Sequence, residues 1–86
     1  MLKTIILVIS LQGQGLNGPQ ALDVRNAIED QIEANTKSEV VGAGGNVDGS
    51  EIDLQIETLQ VETTSEFIRN LMIHAELDGH YTLEIK

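Results

Sequence analysis

Gly13-Gln14-Gly15-Leu16-Asn17-Gly18 spells GxGxxG between an apolar run and a helix-compatible stretch. In a dinucleotide-binding fold such glycines let a pyrophosphate approach a helix N-terminus. The surroundings do not fit that chemistry. The chain is too short for a doubly wound sheet. Pro19 starts the helix after the third glycine, whereas the motif needs that glycine packed inside it. No acid closes a second parallel strand at the required distance. The segment therefore reads as a flexible β–α connection. A small anion held by Gly13, Gly15 and Gly18 at the helix N-terminus is the ligand-binding alternative.

The other candidate chemistries fail on similar grounds. Asn46-Val47-Asp48-Gly49-Ser50-Glu51 resembles part of a calcium loop. Aligning Gly49 with the loop's invariant glycine places Gly44 first and Gln55 last, where acids are required. A hairpin turning at Asp48-Gly49 is the expectation instead. His74 and His80 have Glu76 and Asp78 beside them in sequence, but a metal needs convergent ligands, so no metal site is expected. The serines and threonines lie in no nucleophile-elbow sequence, and no His-acid pair is placed to activate one. Glu51, Asp53 and Glu57 alternate along one segment and share a strand face. A solvated face is the expectation for them, rather than acid–base work. No catalytic residue and no cofactor follow, and the chain reads as a non-enzyme.

The elements that position these residues follow from periodicity. Residues 3–11 are apolar and β-branched, the signature of a central strand. Pro19 opens a helix reaching about Asn35, with Ala21, Val24, Ile28 and Ile32 on one stripe. Glu39 to Gly42 makes a short strand. Ile52, Leu54 and Ile56 alternate with Glu51, Asp53, Gln55 and Glu57, giving a strand with one buried face. Thr63-Thr64-Ser65-Glu66 reads as a capping box, with Thr63 the cap. Phe67, Ile68, Leu71, Met72 and Ala75 form the apolar face of the helix that follows, and Asp78-Gly79 stops it. The last strand, His80 to Lys86, turns Tyr81, Leu83 and Ile85 inward.

The order β-α-β-β-α-β predicts a ferredoxin-like α+β sandwich over residues 1–86. Right-handed crossovers put both helices on one face of a four-stranded antiparallel sheet of order 4-1-3-2. The other face stays open. If Ile5, Leu7 and Ile9 meet the helices, Ile6 and Val8 must point outward, among Asp53, Gln55, Thr82 and Glu84.

Charge narrows the partners. The 86 residues carry a formal charge of −9. Residues 1–43 hold five acids and three bases, and residues 44–86 hold nine acids and two bases. That field repels phosphate backbones, and one phenylalanine with one tyrosine gives no stacking platform, so nucleic acid is not expected. The apolar start imitates a signal peptide but lacks a small-residue cleavage site and is too short to span a membrane. There is no cysteine, which fits a cytoplasmic protein. A monomer, an edge-paired homodimer and a complex with a basic protein partner are all compatible with the sequence, any association acting through Ile6, Val8, Asp53, Gln55 and Glu57 or through a sheet edge.

Val41-Gly42-Ala43-Gly44-Gly45-Asn46-Val47-Asp48-Gly49-Ser50-Glu51-Ile52-Asp53-Leu54 resembles the hairpin of small uncharacterised bacterial proteins, in which a glycine-rich turn leads into a GSEIDL strand. The resemblance covers about one-sixth of the chain and brings no catalytic residue. In topology the chain is also similar to ACT ligand-binding domains. Their first β–α loop corresponds here to Leu16-Asn17-Gly18-Pro19, without the usual Pro-Gly order.

Overall fold

A computed structural model describes residues 1–15, 18–45 and 49–86. Six elements follow in chain order: β1 (Lys3–Ser10), α1 (Gly18–Asn35), β2 (Ser38–Gly45), β3 (Glu51–Thr58), α2 (Val61–His74) and β4 (Tyr81–Ile85). All strand pairs are antiparallel. From one edge the sheet runs β2-β3-β1-β4. Counted from the β4 edge, the same neighbours read 4-1-3-2, with β1 and β3 central.

The register explains the core. Ile5, Leu7 and Ile9 lie opposite Ile56, Leu54 and Ile52, and these six residues are at most 3% exposed. Ala21, Ile28 and Ile32 of α1 join Ile68 and Met72 of α2 in the same cluster. Both helices therefore cover one sheet face. Each fully buried aliphatic side chain contributes roughly 1.5–3 kcal/mol of transfer free energy, so this layer is the main source of stability in so short a chain.

The termini of α1 follow local chemistry. Pro19 lies in its first turn, where a missing N–H costs no intrahelical bond. At its end the Thr36 N–H and hydroxyl both donate to the Ile32 carbonyl, at 3.0 and 2.6 Å. Asn35 Nδ2 donates to the Gln31 carbonyl at 2.9 Å. Carbonyls that the helix leaves unpaired are thus satisfied without a glycine.

Four expectations need correction. β2 extends to Gly45 rather than ending at Gly42, because Ala43, Gly44 and Gly45 pair with Leu54, Asp53 and Ile52. The glycines permit close approach: a Cβ on Gly45 would lie 2.7 Å from the Glu51 carbonyl oxygen. Thr63 does not cap α2. That helix begins at Val61 behind Gln60, which makes no side-chain cap bond. Thr64, one residue on, is buried and bonds to Ser38 Oγ at 2.9 Å and Thr58 Oγ1 at 3.1 Å. Its hydroxyl ties α2 to β2 and β3.

The third and fourth corrections concern the C-terminal part. α2 stops before Asp78-Gly79: Ala75 ends it, and Glu76 turns left-handed with φ 60. Ile85 stands on the helix side opposite Ile5 as expected, but it is 50% exposed rather than buried, at the end of an edge strand. The turn expected at Asp48-Gly49 and the calcium-like segment starting at Asn46 lie partly outside the described residues; Gly49 itself is buried with φ 79. Among the described residues, no helix is long and apolar enough to cross a membrane.

Candidate functional site

The alternation that buries Ile5, Leu7 and Ile9 forces Thr4, Ile6, Val8 and Ser10 onto the opposite face of β1. Their partners on β3 are Glu57, Gln55, Asp53 and Glu51 in that order. On β4, Glu84 lies opposite Ile6 and Thr82 opposite Val8. Ile6 and Val8 are half-buried, while Glu51, Asp53, Gln55, Thr82 and Glu84 are exposed. The open face is therefore a short apolar strip set between two polar strands. The structure brings together all five residues expected there: Ile6, Val8, Asp53, Gln55 and Glu57.

β2 adds what the sequence pattern hid. Glu39 lies directly opposite Glu57. Like charges so placed destabilise a sheet unless a cation comes between them. A register shift between Val40 and Gly42 then brings Gly42 beside Gln55 and Gly44 beside Asp53. A Cβ on Gly44 would stand 2.6 Å from Asp53 Oδ1, and one on Gly42 3.1 Å from Gln55 Oε1. Asp53 and Gln55 thus lean across the bare β2 backbone. Their polar ends are spread over a shelf that side chains at 42 and 44 would fill. Glu39 was missed because its significance depends on which β3 residue it faces, and no local pattern reports that.

A hollow of about 450 Å³ lies at one end of the face, lined by Val8, Ser10, Glu51, Gly79, His80, Tyr81 and Thr82. The Ser10 N–H donates to the His80 carbonyl at 2.7 Å, which fixes the two strands at this end. A hydroxyl nucleophile needs a base placed between it and an orienting acid. Here Ser10 stands on the strand between Glu51 and His80, so the order is wrong for that relay. No three metal-ligating side chains converge among the described residues. The opposite end carries exposed Leu2 and Leu59 beside Lys37, Glu39 and Glu57 around a hollow of about 330 Å³.

The glycine loop is placed apart from this surface. Gly13 and Gly15 have φ of 85 and 72, values glycine adopts without strain, and among the described residues nothing lies within 4 Å of where a Cβ on either would stand. Gly18 is the first residue of α1. Leu16 and Asn17 lie outside the described residues, so the loop's three glycines are not brought into one described cradle. Compared with family models, curated proteins and solved structures, the chain finds no match in any of the three.

Proposed function

We propose that this chain is a ferredoxin-like sandwich acting as a non-enzymatic interaction module, which receives a basic, amphipathic segment of a partner protein on its open sheet face. The observation that carries the reading is the direct opposition of Glu39 and Glu57 on a face that also holds Asp53, Glu51 and Glu84. Lysine or arginine side chains laid over this face relieve that repulsion. Apolar residues of the same segment cover Ile6 and Val8, and Leu2 and Leu59 at the rim. Each exposed ion pair contributes about 0–1 kcal/mol, so the carboxylates set orientation and association rate more than affinity. The same field disfavours phosphate-backbone ligands. A cytoplasmic setting suits a cysteine-free acidic module of this kind.

The test is capture of partners on the immobilised chain at low salt, followed by titration of the purified captured protein. A basic protein should be retained, released at about 0.5 M salt where the Debye length is only a few ångströms, and lost with the Asp53→Lys/Glu57→Lys variant. Equal retention by that variant and the native chain would remove the open face as the docking surface.

A further inference from the structure

The two sheet edges differ in how they are guarded. β2 carries a register irregularity at Val40/Gly42 and the charge of Glu39, devices that discourage further strand pairing. β4, Tyr81–Ile85, has no bulge against its neighbour and no proline or lysine within it. Thr4 and Lys86 exchange both backbone hydrogen bonds, at 3.3 and 2.8 Å. By the alternation of an antiparallel ladder, Glu84 and Thr82 also turn their backbone groups toward β1. Tyr81, Leu83 and Ile85 then turn theirs outward, along the free edge. Apolar surface accompanies this edge: Ile85 is 50% exposed, and Tyr81 and Leu83 are only partly buried.

We infer that the β4 edge pairs with the β4 edge of a second copy of this chain, antiparallel and centred on Leu83. The sequence Tyr-Thr-Leu-Glu-Ile is complementary to itself about that centre. Leu83 meets Leu83 of the second copy. Tyr81 meets Ile85 on the helix side, a favourable aromatic–β-branched pair. Thr82 meets Glu84 on the open side, so no carboxylate faces a carboxylate. Each outward-turned pair exchanges two backbone hydrogen bonds. Any other register of the same parity leaves part of this five-residue strand unpaired.

A second observation falls at the same place. A hollow of about 300 Å³ between α2 and the end of β4 is lined by Val61, Glu62, Ser65, Glu66, Arg69 and Ile85. Ser65 is 3% exposed, and its hydroxyl has no hydrogen-bond partner among the described residues. The centred register brings Tyr81 of the second copy beside Ile85, at the mouth of this hollow, where its ring covers apolar surface. The second copy thus supplies both a pairing strand and apolar cover at the hollow. The joined sheets carry two acidic faces side by side, sharing Thr82 and Glu84 at the seam.

Sedimentation equilibrium of the full chain tests this from micromolar to millimolar concentration. The mass should rise from 9.4 kDa to twice that value. Association should tighten with added salt, because it brings two anionic molecules together; binding of a basic partner to the open face has the opposite salt dependence, so the two readings fail separately. Thr82→Glu, an exposed change that sets acid against Glu84 twice across the axis, should weaken the dimer about tenfold. The Thr82→Glu/Glu84→Lys double variant should restore it. A monomer throughout the range at about 0.5 M salt, or a dimer that Thr82→Glu leaves unchanged with circular dichroism native, overturns the inference.

Discussion

Glu76 occupies a position after α2 that glycine usually fills. Its N–H donates to the Ile73 carbonyl at 3.1 Å, and the Leu77 N–H donates to the Met72 carbonyl at 2.8 Å. This is the paired bonding of a Schellman end, with Leu77 buried as its apolar clasp. The left-handed φ of 60 costs a side chain with a Cβ about 1–2 kcal/mol. Glu76→Gly should therefore stabilise the chain by about 0.5–1 kcal/mol, the gain being reduced by glycine's larger unfolded-state entropy. A higher urea midpoint at unchanged slope is the expected result; a lower midpoint would mean that the Glu76 side chain contributes more than its strain. The sequence pointed to Asp78-Gly79 as the stop. Gly79 does turn left-handed, with φ 83, but in the next turn, which the His80 N–H closes on the Leu77 carbonyl at 2.9 Å. Glycine marks one tight turn here and a charged residue makes the other, so composition located only the first.

Among the elements, β2 shows how a strand can be built from residues that ordinarily break one. Gly44 and Gly45 are adjacent yet have different reasons to be glycine. A methyl on Gly45 would meet the Glu51 carbonyl oxygen at 2.7 Å and the Ile52 Cα at 3.4 Å, both backbone atoms of the neighbouring strand. A methyl on Gly44 would meet only the end of the Asp53 side chain, at 2.6 Å for Oδ1. Gly45→Ala should cost about 1–3 kcal/mol, because main chain must move. Gly44→Ala should stay within about 1 kcal/mol of native, because a carboxylate rotates away and the unfolded chain loses freedom. Thermal unfolding of the two variants gives the ranking, and a Gly44 variant as unstable as the Gly45 variant would contradict this account. The start of α2 makes the same point with hydroxyls. Thr63 and Thr64 are equivalent as letters, but only Thr64 faces Ser38 and Thr58 across the sheet end.

Across the whole molecule, charge is the property that most sets its behaviour. A formal −9 on 86 residues, with Glu39 against Glu57 in the sheet, makes the folded state repel itself. Raising ionic strength from about 10 mM to about 0.5 M should therefore stabilise the monomer by about 1 kcal/mol, or roughly 4–8 °C in melting temperature for a domain of this size. Dilute samples keep self-association out of the measurement. Glu39→Gln should raise the low-salt melting temperature and shrink the salt effect. A melting temperature that falls with salt would show that attractive pairs outweigh the repulsion.

Several features were settled by local order alone. The apolar run of residues 3–11 dictated a strand without saying which face is buried, the period-two pattern of Ile52, Leu54 and Ile56 dictated a strand with one buried face, and the helical spacing of Ala21, Val24, Ile28 and Ile32 dictated what α1 presents to them. Such patterns are decisive because burial sets them, and burial acts on every turn or every second residue. The opposition of Glu39 to Glu57, the strand character of Ala43 to Gly45, the role of Thr64 and the exposure of Ile85 belonged to tertiary structure. Each depends on which residue of another segment arrives opposite, and the register that decides this is fixed by the packed layer as a whole.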